Sequence, residues 1–139
     1  MPEREFIDSD KLEAVRDKYT YSHAVKVGNT VYVSGQVSRD KDDKVLHKRD
    51  FEGQVDKALE NLQNVLVAAG ATMQDVVKMN FFCRHIWDFT KMPTVFRKYF
   101  GDHLPAWTGV EVIQLWNPHF LIEIEAIAII GEKQIIIGK

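Results

Sequence analysis

A two-residue alternation of apolar and polar positions, as expected of a strand with one buried face, is clearest in residues 105–112 and 120–128. The link Asn117-Pro118-His119 between them reads as a turn. In the second stretch Ile122, Ile124, Ala126 and Ala128 share one face, and Glu123 and Glu125 share the other, about 7 Å apart along the strand. Carboxylates beside a core are costly to bury. That face is therefore either open to water or part of a site. Residues 21–27 and 30–37, rich in Val, Tyr and Thr, flank Gly28-Asn29, a two-residue hairpin turn. Residues 76–83 read as a further strand.

Between the strands the period changes to that of a helix. Val55, Ala58, Leu59, Leu62, Val65, Leu66 and Ala69 fall on one helical face, with Asp50 as N-cap and Gly70 as terminator. Phe89, Met92, Val95, Phe96, Tyr99 and Phe100 repeat the pattern before Gly101. Pro93 is tolerated only in a first turn, which puts the start of that helix between Asp88 and Met92. A short helix over residues 11–16, capped by Ser9 or Asp10, has a thin apolar face and reads as peripheral. Residues 38–50 form a polar loop.

The order β-β-α-β-α-β-β predicts an α+β domain, one mixed sheet with two helices on a single face. Two helices leave the other face, with its Val, Ile and Trp beside polar groups, in need of a partner, which a homo-oligomer supplies most simply. With 139 residues, 45% of them hydrophobic, the chain builds one core and one domain.

Charge and composition then narrow the chemistry. The net charge of −2 gives no footprint for nucleic acid, since Lys41, Lys44, Lys48 and Arg49 are interleaved with Asp40, Asp42, Asp43 and Asp50. No apolar run reaches the length of a membrane span, so no membrane partner is expected, and Met1-Pro2-Glu3-Arg4-Glu5 opens a charged segment rather than a signal peptide. A single cysteine, Cys83, fits a reducing compartment, which points to the cytoplasm. Mid-strand among Phe81 and Phe82, Cys83 reads as a buried small hydrophobe rather than a nucleophile. His23, His47, His85, His103 and His119 show no ligand spacing, so no metal is expected; His23, on the hairpin, is the one worth testing. Ser34 has no paired His and Asp signal, which argues against a hydrolytic triad.

Tyr21-Ser22-His23-Ala24-Val25, Val31-Tyr32-Val33-Ser34-Gly35-Gln36, Ala68-Ala69-Gly70, Asp75-Val76-Val77-Lys78, Phe100-Gly101-Asp102-His103, Pro105-Ala106 and the run from Ile122 to Ala128 resemble, in the same order, the reactive intermediate deaminase family, also called Rid or YjgF. The resemblance covers residues 19–130, leaving an N-terminal extension, 1–18, and a C-terminal tail, 131–139. It implies a chorismate-mutase-like subunit and a homotrimer with a central barrel, binding small molecules in clefts between subunits. It also implies hydrolysis of imines or enamines to keto acids and ammonia, with no cofactor and no metal. In that chemistry an arginine holds the substrate carboxylate and a glutamate, matched here by Glu123, activates water. Tyr21, Ser34, Gly35 and Gln36 match the family's cleft.

The sequence departs from the pattern after Pro105-Ala106, where the arginine is replaced by Trp107; Gly109 stands where many members have cysteine, and Pro93 where an asparagine is often found. Tryptophan offers an apolar face and one N–H donor, not a carboxylate fork. With Gly109 on the same strand face, Trp107 implies an aromatic wall with room beside it, suited to a ring or an uncharged imine. Trp107 filling an oligomer interface is the plainer alternative, and Arg84 or Arg97 are other cations that could reach the cleft. Two functions follow: an imine or enamine deaminase without the usual carboxylate clamp, or a non-catalytic trimer that binds a metabolite or protein in the same cleft. The apolar tail Gln134-Ile135-Ile136-Ile137 either adds a strand edge or packs on a neighbouring subunit.

Overall fold

The computed structural model describes residues 3–138; Met1, Pro2 and Lys139, the ends of the two outer segments, lie outside the described residues. Strands β1 (Arg4–Ile7), β2 (Ala24–Val27), β3 (Thr30–Gln36), β4 (Val76–Cys83), β5 (Ala106–Glu111) and β6 (Ile122–Ile129) form one sheet. The helices are α1 (Val15–Tyr19), α2 (Phe51–Ala68) and α3 (Met92–Phe100). The sheet order is β1-β2-β3-β6-β4-β5, antiparallel throughout except for β4 and β5. It is thus the mixed sheet with two main helices that the pattern predicts.

Local chemistry explains the boundaries. Gly28 takes a positive φ of 58° in the β2–β3 turn. Asp50 caps α2, accepting a hydrogen bond from the Gly53 N–H at 3.0 Å. Pro93 sits in the first turn of α3, where a missing N–H costs nothing. Leu59, Leu62 and Leu66 of α2 and Phe96 and Phe100 of α3 pack on Val31, Val33, Met79, Phe81, Ile122 and Ile124 of the sheet, making one core on one face. The opposite face is uncovered, with Tyr32, Val110 and Phe6 exposed.

Four features differ from the sequence reading. A strand, β1, pairs with β2 along the edge, although Arg4 and Glu5 hide any strand pattern; an edge strand is held by its main-chain ladder and needs little apolar alternation. The first helix lies at Val15–Tyr19, not 11–16, because Ser9 spends its cap on the Lys11 N–H (3.3 Å) and accepts from Leu12 N–H through its carbonyl, forming a turn there. The turn at Asn117 is present, but β5 and β6 are not neighbours: β4 lies between them, so residues 112–121 form a crossing loop. Residues 134–137 form no strand; Ile135, Ile136 and Ile137 are exposed, and the Gln134 amide donates to the Gln74 carbonyl.

Candidate functional site

On the uncovered face, the register between β3 and β6 breaks between Val33 and Gln36. This irregularity shapes the floor of a cavity of about 610 Å³, whose walls include Tyr21, Ser34, Gly35, Arg39, Trp116 and Glu123.

Glu123 projects from β6 over Gly35. A β-carbon at Gly35 would lie 2.8 Å from Glu123 Cδ, so only glycine leaves room for the carboxylate in this position. Burial pushes the Glu123 carboxyl above its ordinary range, the nearby Glu125 carboxylate adds to the shift, and Arg39 opposes it. Glu125, two residues along on the same face, accepts from Asn80 Nδ2 at 3.0 Å. Ser34 donates its hydroxyl proton to the Ser22 carbonyl at 2.6 Å and its N–H to the His23 carbonyl, and among the described residues no imidazole bonds its hydroxyl, so the side chain offers lone pairs to the cavity rather than a nucleophile. Gln36 is buried and does not line the cavity; its Nε2 donates to the Ser34 carbonyl at 3.1 Å and braces the irregular segment.

Trp107 and Gly109 lie elsewhere in the single chain. They pair with Met79 and Phe81 of β4, on the helix side of the sheet, whereas Glu123 projects from the other side. Trp107 packs edge-on to Phe81, ring centres 5.0 Å apart, and tilted against Phe89 at 6.1 Å. The room expected beside it is filled, because a β-carbon at Gly109 would meet the Phe89 ring at 2.7 Å. With Phe89, Pro93, Arg97 and Leu104, Trp107 lines a separate hollow of about 170 Å³. Arg97 there pairs with Asp102 at 3.2 Å, and neither Arg97 nor Arg84 lines the large cavity.

Among the described residues the cation that does reach the cavity is Arg39, from the loop read as polar. Its guanidinium is buried, forms ion pairs with Glu13 and, at 3.1 Å, with Asp43, and donates from Nη2 to the Tyr21 hydroxyl at 2.6 Å. Burial works against this charge, but Glu13, Tyr21 and Asp43 outweigh it and hold the pKa above its ordinary value. Buried amides on α2 anchor the surrounding backbone. Asn61 Nδ2 donates to the carbonyls of Val37 (2.9 Å) and Arg39 (3.1 Å), and Gln54 bridges the His119 carbonyl (2.9 Å) and the Leu121 N–H (2.8 Å). Glu13 comes from the segment read as peripheral; beside it, His23 is buried outside the cavity, its Nδ1 accepting from the Ser9 N–H at 3.0 Å. Nothing in the sequence marks the Glu13–Arg39 pair, and the i,i+4 spacing of Arg39 and Asp43 reads as a surface ion pair. No cluster of potential metal ligands occurs among the described residues.

Comparison with known proteins agrees with this architecture. The family model described as Endoribonuclease L-PSP matches residues 12–130. A RutC family protein of Pyrococcus abyssi is 42% identical over 108 residues, 78% of this chain and 84% of that one. A 2-iminobutanoate/2-iminopropanoate deaminase of Dermatophagoides farinae is 37% identical over 110 residues, covering 79% and 85% of the two chains. The crystal structure of RidA from an Antarctic Psychrobacter superposes with a TM-score of 0.82 at 36% identity, covering 91% of this chain and 99% of that one.

Proposed function

The chain belongs to the Rid family, also called YjgF or L-PSP, and on that premise we propose that it is a cofactor-independent hydrolase that deaminates a reactive imine or enamine in clefts between the subunits of a homotrimer. The observation that carries this reading is the Glu123 carboxylate, held over Gly35 in a cavity and raised in pKa. A carboxylate with a raised pKa is a better base toward water. Glu123 takes a proton from a water as its oxygen bonds to the imine carbon; the nitrogen, once protonated, leaves as ammonia and the carbon becomes a carbonyl. A protonated imine is already electrophilic, so positioning by Tyr21 and Ser34 supplies much of the remaining catalysis.

The substrate carries an aromatic or uncharged group where relatives bind a carboxylate. Trp107 stands in the place of the arginine, and Arg39 is already engaged by Glu13 and Asp43. Since Trp107 and Glu123 lie on opposite faces of one sheet, they meet only across a subunit boundary, which the trimer provides. Cleavage of RNA is disfavoured by Glu123 and Glu125 in the cavity wall, which repel a phosphate backbone. A non-catalytic binding role is the second reading, favoured by the Phe81 and Phe89 contacts that give Trp107 a structural purpose of its own.

Ammonia release from freshly generated small imino acids separates these readings, comparing wild type with Trp107→Arg and Glu123→Gln. Slow wild-type turnover, a gain in Trp107→Arg and its loss on adding Glu123→Gln support the deaminase without the carboxylate clamp. Rapid wild-type turnover refutes the reading of Trp107. No turnover by any variant, in protein that remains folded, favours the binding role.

A further inference from the structure

Tyr21 makes a single hydrogen bond among the described residues, and in it the phenol is the acceptor, since a guanidinium can only donate. We infer that Arg39 is a positioning residue of the cleft: gripped by Glu13 and Asp43, it occupies the acceptor side of the Tyr21 hydroxyl and leaves the phenolic proton as a fixed donor to the bound substrate. The inference rests on the reading that Tyr21 faces the reacting imine, and it assigns Arg39 a task other than holding a carboxylate.

Three observations carry it. Arg39 has little freedom, because Nη2 faces both Glu13 and Tyr21, Nη1 faces Asp43, and Asn61 holds its main-chain carbonyl. Asp43 is itself held by Lys18 at 2.7 Å and by the Tyr19 hydroxyl, so the frame extends to the cavity rim. Tyr21 and Glu123 line the same cavity; burial raises the phenol's pKa, Arg39 opposes that rise, and Glu13 and Glu123 add smaller increases. A phenol whose lone pair is taken by a cation is a stronger and better-aimed donor than a free one. In the proposed reaction its target is the substrate nitrogen or the oxygen that replaces it, opposite the water held by Glu123.

The test is a double-mutant cycle of Arg39→Lys and Tyr21→Phe, read by imine turnover and by the 13Cζ resonance of tyrosine. Lysine keeps the charge beside Glu13 and Asp43 but cannot reach both carboxylates and the phenol. The expected result is a loss of about tenfold in kcat for either single variant, with KM little changed, and no further loss in the double variant. The Tyr21 13Cζ resonance, assigned by its absence in Tyr21→Phe, shifts in Arg39→Lys. Additive losses, or an unmoved Tyr21 resonance, overturn the inference. If Arg39→Lys does not fold, Asp43→Asn, at the more exposed end of the frame, gives the same two readouts. If neither wild type nor Trp107→Arg releases ammonia, the deaminase reading fails, and the resonance alone decides whether Arg39 orients Tyr21.

Discussion

Gly35→Ala tests the seat of Glu123 with a single methyl group. Gly35 is not among the residues with positive φ, so alanine meets no backbone penalty there. Its β-carbon would lie 2.8 Å from Glu123 Cδ and 2.9 Å from Cγ, against an ordinary carbon–carbon contact of about 3.5–4.0 Å. The carboxylate must therefore retreat by about 1 Å. The half-buried glutamate can swing into the adjoining cavity, so the stability loss falls at the low end of overpacking, about 1 kcal/mol. Misplacing a catalytic group by about 1 Å costs on the order of 100-fold in rate. The expected signature is a melting temperature lowered by roughly 3–5 °C with kcat reduced about 100-fold. Differential scanning fluorimetry and ammonia-release kinetics on the same preparation measure both. Full activity in Gly35→Ala would show that the position of Glu123 over this glycine is irrelevant to turnover.

Glu125→Gln removes a neighbouring negative charge, so the Glu123 pKa falls from its raised value while burial keeps it above the ordinary range. In the proposed mechanism the base form of Glu123 is the active one, so activity should rise as pH climbs through that pKa, and the acid limb of the pH–rate profile should move to lower pH in Glu125→Gln. An unshifted limb would remove Glu123 as the titrating base. In wild type the same raised pKa makes the Glu123 contribution to stability fall as pH rises from the ordinary carboxylate range through the raised value, which acid-to-neutral unfolding curves measure. Asp50→Ala deletes the α2 cap and should lower stability by about 1 kcal/mol, read by urea denaturation, with the Glu123-dependent pH profile unchanged. Cys83 is fully buried and burial raises its thiol pKa, so a thiol reagent labels it only at the rate of unfolding, and rapid labelling of native protein would contradict the packing.

The parts of the fold legible in the sequence are those whose stability is local. α2 announces itself through a capped, one-faced apolar stripe, and β6 through strict alternation that separates Ile122 and Ile124 from Glu123 and Glu125. What the sequence hides depends on pairing between distant segments. The face that Trp107 and Gly109 share is visible in their spacing, but which way it points is set by their register with Met79 and Phe81. The insertion of β4 between β5 and β6 leaves no local trace, nor does the meeting of Glu13 with Arg39. In the loop holding Arg39, mixed charges look like a solvated surface; the difference comes from Asn61 of α2, which draws the backbone inward and buries one of those charges.

The aromatic cluster around Trp107 bears on how the Trp107→Arg experiment is interpreted. Gly109, Phe89 and Trp107 form one packing solution: the missing side chain at Gly109 admits the Phe89 ring, and Trp107 leans on that ring and on Phe81. Replacing Trp107 removes two aromatic contacts worth about 0.5–1.5 kcal/mol each beyond their buried area, so the variant is expected to be less stable than wild type. The tryptophan is nevertheless 45% exposed, so a guanidinium introduced there can extend along the open side rather than into the space held by Phe89. Gain of imino-acid turnover therefore needs no rearrangement of Phe89. If Trp107→Arg folds and stays inactive while Trp107→Arg/Phe89→Ala is active, cleft shape rather than charge excludes the small imino acid. If both stay inactive while Glu123 still titrates with its raised pKa, the reading of position 107 as the substrate-facing wall fails.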